Sequence, residues 1–297
     1  MVEAITLQNL TTKRSLILGA LPSQSKNYVL LSVDWGTAAG THTQYKYTNQ
    51  IGVSIVSTSL ETRAISIVGV VVSENSKELL DCKRVLNNFV NPQQQIKISY
   101  KGYYICFYPS NSIKYGTSYS ENNNILCHFK IDGIAPLPYF RADSELQIDA
   151  ATTIPFFHFP FIIPPEGYVF GVRQPAQLVN VYNAGSITTG FTVVFKATGT
   201  CSNPKITNAR TLEFFEIEKS LVAGEKIVIN TLVGEKSVLG TLGGVTSNYY
   251  RYKTLDSTWL QLVPGDNVFR TDAATNPQNI EVYLQFANQY LEVQELD

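Results

Sequence analysis

The stretch Leu221–Gly244 constrains the fold more than any other part of this sequence. It reads LVAGEKIVINTLVGEKSVLGTLGG and holds two short apolar runs, Ile227–Ile229 and Val238–Leu239, with Gly224-Glu225 before them and Gly234-Glu235 between them. β-Branched residues near a period of two, bounded by Gly and Asn, are typical of paired antiparallel strands. No residue here belongs to a recognisable active site. We therefore expect turns and sandwich strands, and the function has to be inferred from the architecture.

Similar strands recur along the second half of the chain at regular intervals. The predicted strands are Ala176–Tyr182, Thr189–Thr198, Lys205–Asn208, Glu213–Ile217, Lys226–Asn230, Tyr249–Tyr252, Trp259–Leu262, Asn267–Arg270 and Asn279–Ala287. This spacing predicts a β-sandwich. The segment Asp132–Phe140 carries two prolines and punctuates the chain, so we predict one domain over residues 1–133 and another over residues 134–297.

The first half predicts a β-rich unit with one covering helix. Predicted strands early in the chain include Tyr28–Trp35, Ile51–Val56 and Ala64–Val72, with Gly36–Thr43 as a flexible hairpin loop. For the helix, Asn75 with Glu78 three residues later reads as a capping box. Leu79, Cys82, Leu86 and Phe89 then recur at helical spacing, and Pro92 ends the helix.

The segment Ile154–Pro165, IPFFHFPFIIPP, is rich in phenylalanine and proline, and its prolines exclude a helix. One interpretation is an exposed aromatic docking patch. The simpler one is an edge strand whose phenylalanines pack beneath the sandwich.

Charge and composition narrow the classes of partner. The chain has 23 Lys and Arg against 24 Asp and Glu, with no basic stripe, which argues against specific binding of nucleic acid. Charged residues make up 16% of the chain, below the roughly 25% of typical soluble domains. A surface rich in amides and hydroxyls suits protein–protein packing or sugar contact, although an ordinary all-β protein also fits. Neither a signal peptide nor a membrane-spanning helix is predicted.

Reactive constellations are missing from the sequence. The histidines His42, His128 and His158 show no metal-binding spacing, so we predict no metal and no cofactor. The four cysteines are far apart and read as buried free thiols. No nucleophile elbow occurs. The acidic residues that could form a glycosidase pair are too many to select two, and we interpret them as surface groups: Asp143, Glu145, Asp149, Glu213, Glu216 and Glu218.

An ordered series of segments resembles siphophage distal tail proteins. The run Leu79–Pro109, LLDCKRVLNNFVNPQQQIKISYKGYYICFYP, resembles the first domain of that family, and PLPYF at 136–140 is similar to its interdomain link. Further segments of the second half resemble its C-terminal domain: VNVYNAGSITTGFTVVFKATGTCSNPKITN, AGEKIVINTLVGEKSV and STWLQLVPGDNVF. The resemblance covers roughly residues 60–290 and is weak over residues 1–60.

This resemblance implies an N-terminal split β-barrel with one helix that forms a hexameric ring, and a galectin-like C-terminal β-sandwich. It implies a non-enzymatic hub at the virion tail tip, made in the host bacterial cytoplasm. The implied partners are other copies of the chain, the tail tube protein, a tail-tip lysin protein and a receptor-binding protein.

Two sets of residues carry the site predictions. For the contact between subunits we predict the hairpin around Trp35, His42, Tyr45 and Tyr47. The alternative function is a carbohydrate-binding adhesin, for which Tyr249, Tyr250, Tyr252 and Trp259 would stack on host cell-wall sugar. Half-buried sheet residues are the simpler interpretation of these four. An enzyme acting on wall polymer is the third hypothesis.

Overall fold

The computed structural model describes residues 4–21, 23–155, 171–175 and 178–292, with 151–155 and 171–175 described by their backbone alone. Contacts divide the chain into a first unit within 1–143 and 290–297 and a second unit within 144–289. This division falls later in the chain than the predicted boundary between residues 133 and 134, because β11 (Phe140–Ala142) pairs with β8 (Tyr103–Pro109) of the first unit. Most of the aromatic segment Ile154–Pro165 lies outside the described residues.

The first unit holds a large sheet whose named strands pair antiparallel, a helix, and a separate two-stranded sheet. Its main strand order is β2-β1-β7-β8-β10-β6-β3, and a bridge between Gly19 and Val29 joins the two ends of this path. The sheet therefore curls back on itself, as a split barrel requires. The elements are β1 (Ile5–Asn9), β2 (Ser15–Leu18), β3 (Tyr28–Asp34), β4 (Gly40–Tyr45), β5 (Ser54–Leu60), β6 (Arg63–Val72), α1 (Ser76–Phe89), β7 (Ile96–Tyr100), β8 (Tyr103–Pro109), β9 (Lys114–Tyr115), β10 (Leu126–Ala135) and β11.

Helix α1 forms as predicted. The Asn75 side chain accepts a hydrogen bond from the Glu78 amide at 2.9 Å, which caps the first turn. The Glu78 carboxylate accepts from the Glu74 amide instead of completing the box at Asn75. Leu79, Leu86 and Phe89 are buried against the sheet. The helix thus closes the core of the first unit from one side.

The second unit is a sandwich of two main sheets. One has the order β12-β24-β16-β20-β21-β22, and the other has the order β15-β23-β17-β18 with β19 beside β17. Side chains from both inner faces share one core, with the rings of Phe191 and Phe269 5.2 Å apart. The strands are β12 (Leu146–Asp149), β13 (Ala151–Pro155), β14 (Gly171–Pro175), β15 (Val179–Asn183), β16 (Thr192–Ala197), β17 (Cys201–Asn208), β18 (Phe214–Glu216), β19 (Ser220–Leu221), β20 (Lys226–Asn230), β21 (Ser237–Leu242), β22 (Val245–Asn248), β23 (Gly265–Thr275) and β24 (Ile280–Phe286), and β25 (Gln289–Tyr290) follows.

The prediction of a mainly β chain with one α-helix is confirmed for the described residues. The stretch Leu221–Gly244 holds the predicted antiparallel pair, with Val228 opposite Leu239. Gly265 has φ +88, a backbone conformation that glycine adopts readily and that suits the third position of a type II turn.

Four local predictions were wrong. Gly36–Thr43 is not wholly a loop, because β4 begins at Gly40, and β5 begins at Ser54 instead of Ile51. Tyr250–Tyr252 is a 3₁₀ turn, since the Asn248 side chain accepts from the Tyr250 amide at 2.8 Å and ends the strand. Trp259–Leu262 forms only a bridge between Leu262 and Thr189.

Candidate functional site

Strands β4 and β5 form a two-stranded hairpin, which we call the arm (Gly40–Leu60). The pairing is antiparallel, with Gly40 opposite Leu60 and Tyr45 opposite Ser54, and the register shifts once between Thr43 and Gln44. The arm continues the pair β3 and β6 along the chain, and the described strands add no third strand to it. At its tip the Tyr47 amide donates to the Gln50 side chain at 3.0 Å.

Every residue of the two arm strands is exposed. The arm and its tip nevertheless carry large apolar side chains, and Val56 is 70% exposed. The exposed apolar residues are Tyr45, Tyr47, Ile51, Val53, Ile55, Val56 and Leu60. A two-stranded hairpin alone is marginally stable in water, and contiguous exposed apolar surface marks contact sites. The arm therefore has the chemistry of a surface that another protein covers.

The four predicted contact residues lie in different settings along the arm and its base. Trp35 packs on its own unit, with its ring 5.7 Å from that of Tyr100 and 5.4 Å from that of Phe140. On β4, the His42 Nδ1 lies 2.9 Å from the Thr58 hydroxyl. The rings of Tyr45 and Tyr47 meet edge to face at 4.5 Å. The tyrosines and the histidine are exposed, whereas Trp35 anchors the base.

The base of the arm holds Gly36, at a position that only glycine can occupy because there is no room for a Cβ. Gly36 has φ +60, and a Cβ there would lie 2.1 Å from the carbonyl oxygen of Ala64. Its amide donates to the Asp34 carboxylate at 2.9 Å, and the Glu61 amide donates to the Ala39 carbonyl at 2.8 Å. The chain therefore turns into the arm through a fixed backbone geometry.

Sequence reasoning missed Arg63, a fully buried residue at the start of β6. The alternation of β6 places it on the same inward face as Ile65 and Ile67. An arginine in register with core isoleucines was therefore a visible signal of a buried cation.

The four residues predicted to contact sugar divide into two pairs. The rings of Tyr249 and Tyr252 meet at 5.3 Å, and their hydroxyls bond with Glu225 at 2.9 Å and Arg251 at 2.6 Å, respectively. Tyr250, 53% exposed, lies 6.2 Å from the half-buried ring of Trp259. The first pair is therefore bound into the fold. In the second pair Tyr250 is exposed, and Trp259 also packs on the buried ring of Phe215 at 5.1 Å.

The buried carboxylate of Glu225 organises the first pair. Lys219 Nζ lies 2.6 Å from its Oε1, and the Val222 amide donates to Oε2 at 3.2 Å. Burial alone would raise the pKa of Glu225, but the hydrogen bonds from Lys219, Tyr249 and Val222 outweigh it and hold the pKa below its ordinary value. The same bond to Glu225 raises the pKa of Tyr249. Hydrogen bonds and an ion pair to Glu225 therefore connect the start of β20 to the 3₁₀ turn.

Metal binding and membrane crossing by a helix find no support in the described part of the chain. No cluster of three or more His, Cys, Asp or Glu there could hold a metal ion. No described helix is long and apolar enough to cross a membrane. All four cysteines are free; Cys127 and Cys201 are buried, and Cys82 and Cys106 are partly buried.

The comparison with protein families decides the class of the second unit. Residues 184–290 match the family described as siphovirus-type tail component, C-terminal domain. Most of the second unit therefore resembles the C-terminal domain of a siphovirus tail component. The predicted resemblance to distal tail proteins and the predicted place in a phage tail are thereby confirmed. No curated relative matches the sequence.

Solved structures extend the likeness to the fold of nearly the whole chain. The Dit (gp 19.1) protein of phage SPP1, described as a paradigm of hub adsorption apparatus in phages that infect Gram-positive bacteria, aligns at a TM-score of 0.65 and 11% identity. The alignment covers 96% of this chain and 98% of that one. The baseplate of phage P2 in its activated conformation with calcium aligns at 0.53 and 11% identity, with the same coverage. The chain thus has the fold of a distal tail hub protein.

Proposed function

We propose that this tail protein is a structural hub whose first unit assembles into a hexameric ring at the tail tip. The ring would join the tail tube to the tip or baseplate and anchor the parts that recognise the host. The observation that carries the proposal is the arm, an exposed hairpin with seven large apolar side chains along its strands and tip.

A closed ring needs a heterologous interface, in which each subunit offers two different complementary patches. The arm suits one of them, because its two strands pair only with each other among the described strands and both are exposed. The second patch would lie on the sheet of the neighbouring copy. A symmetric dimer would instead bring the same patch of two subunits together.

The likeness to hub and baseplate structures guides the choice of further partners. On this proposal the tail tube protein binds one face of the ring and a tail-tip lysin protein binds the other. A receptor-binding protein would be held at the periphery. The described residues supply shape and apolar contact for this role, and no catalysis is assigned to them.

Polar substitution on the arm tests the proposal. We expect Val56→Ser combined with Tyr47→Ser to abolish ring formation while the monomer stays folded, because exposed substitutions usually change stability by about 0.5 kcal/mol or less. Val245→Ser on β22 is a matched control, since Val245 is 68% exposed against 70% for Val56. Light scattering gives the mass of each protein. Rings of equal yield from the double variant and the control would rule out the arm as the contact.

A second candidate function is carbohydrate binding by the second unit. The observation that favours it is the exposed ring of Tyr250 beside Trp259, with Lys236 Nζ 5.5 Å from the Trp259 ring centre. Aromatic faces of this kind stack on sugars, and a neighbouring amine can donate to sugar hydroxyls. A hub that also binds sugar is compatible with the first proposal.

Tryptophan emission can test this candidate directly. If the pair binds sugar, a host-wall polysaccharide fraction changes Trp259 emission in a saturable way, and Tyr250→Ala weakens binding about tenfold, the loss expected for one stacking contact. Tyr182→Ala, another exposed tyrosine of the second unit, is the control. An emission unaltered by every fraction, together with an empty glycan array, removes the candidate.

A further inference from the structure

The chain leaves the first unit and later returns to it. The first unit lies within residues 1–143 and 290–297, so the second unit is an insertion in its sequence. On its return the chain forms β25, which pairs with β11. The Tyr290 ring meets the Tyr103 ring edge to face at 5.4 Å. Residues 290–292, which we call the return segment, are therefore part of the first unit.

Arg63 joins the return segment to the base of the arm. It follows the arm by three positions, and its side chain is fully buried. Its Nη1 donates to the carbonyls of Trp35 and Gly36, each at 3.4 Å, in the segment that leads from β3 into the arm. Its Nη2 donates to the carbonyl of Leu291 and, at 3.3 Å, to the carboxylate of Glu292. One guanidinium therefore ties both ends of the arm to the return segment.

A buried guanidinium is stable only while its donors are paired. The Arg63 Nε already has no partner among the described residues. The Phe140 ring, 4.9 Å from the guanidinium carbon, contributes a cation–π contact. Without the return segment, Nη2 would lose both of its acceptors, and Arg63 would have to move toward water. Its bonds to Trp35 and Gly36 would then break.

We propose that the return segment is a clamp that positions the arm through Arg63. The arm is held only after the chain has passed through the whole second unit and come back. Ring assembly is thereby limited to chains that contain the return segment, and a product cut before residue 290 is excluded. This consequence rests on the proposed role of the arm in the ring, whereas the clamp itself does not.

Two truncations distinguish the return segment from the residues that follow it at the C-terminus. One chain ends at Gln289 and lacks the return segment, and the matched chain ends at Glu292 and keeps it. Hydrogen exchange is followed at Gly36 and Glu61, whose amides are bonded at the arm base. We expect exchange there to be about tenfold faster in the chain ending at Gln289, with full-length rates in the chain ending at Glu292. Equal rates in all three proteins would overturn the clamp.

Substitution of Arg63 tests the route of the coupling. Arg63→Met should accelerate the same amides, and combining it with the truncation at Gln289 should add little, because both changes break one network. Additive effects would show that the return segment acts by another route. If Arg63→Met does not fold, Glu292→Gln in the full-length chain removes one acceptor's charge, and exchange unchanged by it and by the truncation contradicts the proposal.

The outcomes distinguish the clamp from the ring. Exchange is measured on dilute protein, and mass is measured separately at high concentration. Faster exchange with rings retained would leave the clamp standing and refute the role of the arm in the ring. Unchanged exchange with rings lost on truncation would refute the clamp alone.

Discussion

Replacing Glu225 by alanine is expected to lower the free energy of unfolding of the second unit by about 2–3 kcal/mol. Its carboxylate is buried and is 2.6 Å from Lys219 Nζ and 2.9 Å from the Tyr249 hydroxyl. Removing one partner of a buried ion pair leaves the other without compensation and costs roughly 3–5 kcal/mol. We expect the lower figure because Lys219 keeps 21% of its side-chain exposure and can turn to water.

Trp259 reports this unfolding, since it lies in the second unit and Trp35 is the other tryptophan of the chain. In a Trp35→Phe background, denaturant titration of Trp259 emission gives the free energy of the second unit. Glu218→Ala is the matched control, because Glu218 is exposed nearby and donates its backbone amide to Tyr252, which alanine retains. Equal midpoints for the two variants would contradict a structural role for the Glu225 cluster.

The lowered pKa of Glu225 also predicts how the free energy of unfolding of the second unit changes with pH. A carboxyl group with a depressed pKa in the folded state stabilises the fold above its ordinary pKa of 4.5, and this contribution is lost as pH falls through the folded value. The free energy of unfolding of the second unit should therefore fall more steeply below pH 4.5 in the native chain than in Glu225→Gln. Parallel curves would contradict this assignment.

Replacing Gly36 by alanine is expected to destabilise the first unit by about 3 kcal/mol. A left-handed backbone costs a residue with a Cβ roughly 1–2 kcal/mol, and overpacking costs a further 1–3 kcal/mol or so. The added carbon would meet the Ala64 carbonyl oxygen at 2.1 Å, and this atom is backbone and cannot rotate away. The arm base would therefore have to move.

Gly52→Ala separates the two costs. Gly52, near the arm tip, also has a positive φ, +80, but nothing lies within 4 Å of the position its Cβ would take. We expect only the conformational cost there, about 1 kcal/mol. Trp35 emission in a Trp259→Phe background follows the first unit. Equal destabilisation by both substitutions would show that the contact with the Ala64 carbonyl oxygen adds nothing to the cost of Gly36→Ala.

Local patterns predicted the elements that make their own hydrogen bonds. Asn75 and the helical spacing after it were sufficient for α1, because a cap and an apolar face are encoded within a few residues. The pair in Leu221–Gly244 followed from alternation and turn glycines. The strand predicted around Tyr250 failed, since the side chain of Asn248 accepts from the Tyr250 amide and redirects the backbone. The segment around Trp259 forms only an isolated bridge at Leu262.

The candidate site was predictable only in part. A hairpin was predicted in this region, but its loop was placed at Gly36–Thr43, where β4 begins. The exposure of the arm depends on the absence of a covering layer among the described residues, which no local pattern encodes. Glu225 read as a turn residue, and its burial follows from Lys219 and Tyr249, which are brought together by the fold. The contact of Arg63 with Leu291 joins residues at distant points of the sequence, so it required the structure.

The solution mass of the intact protein, measured by light scattering across a concentration series, tests the central claim most directly. The ring predicts a species of six times the 33.0 kDa of one chain, and negative-stain images of the same peak should show a ring with a central opening. The proposed ring would be contradicted by a mass equal to that of one chain at every concentration, or by a symmetric dimer as the largest species.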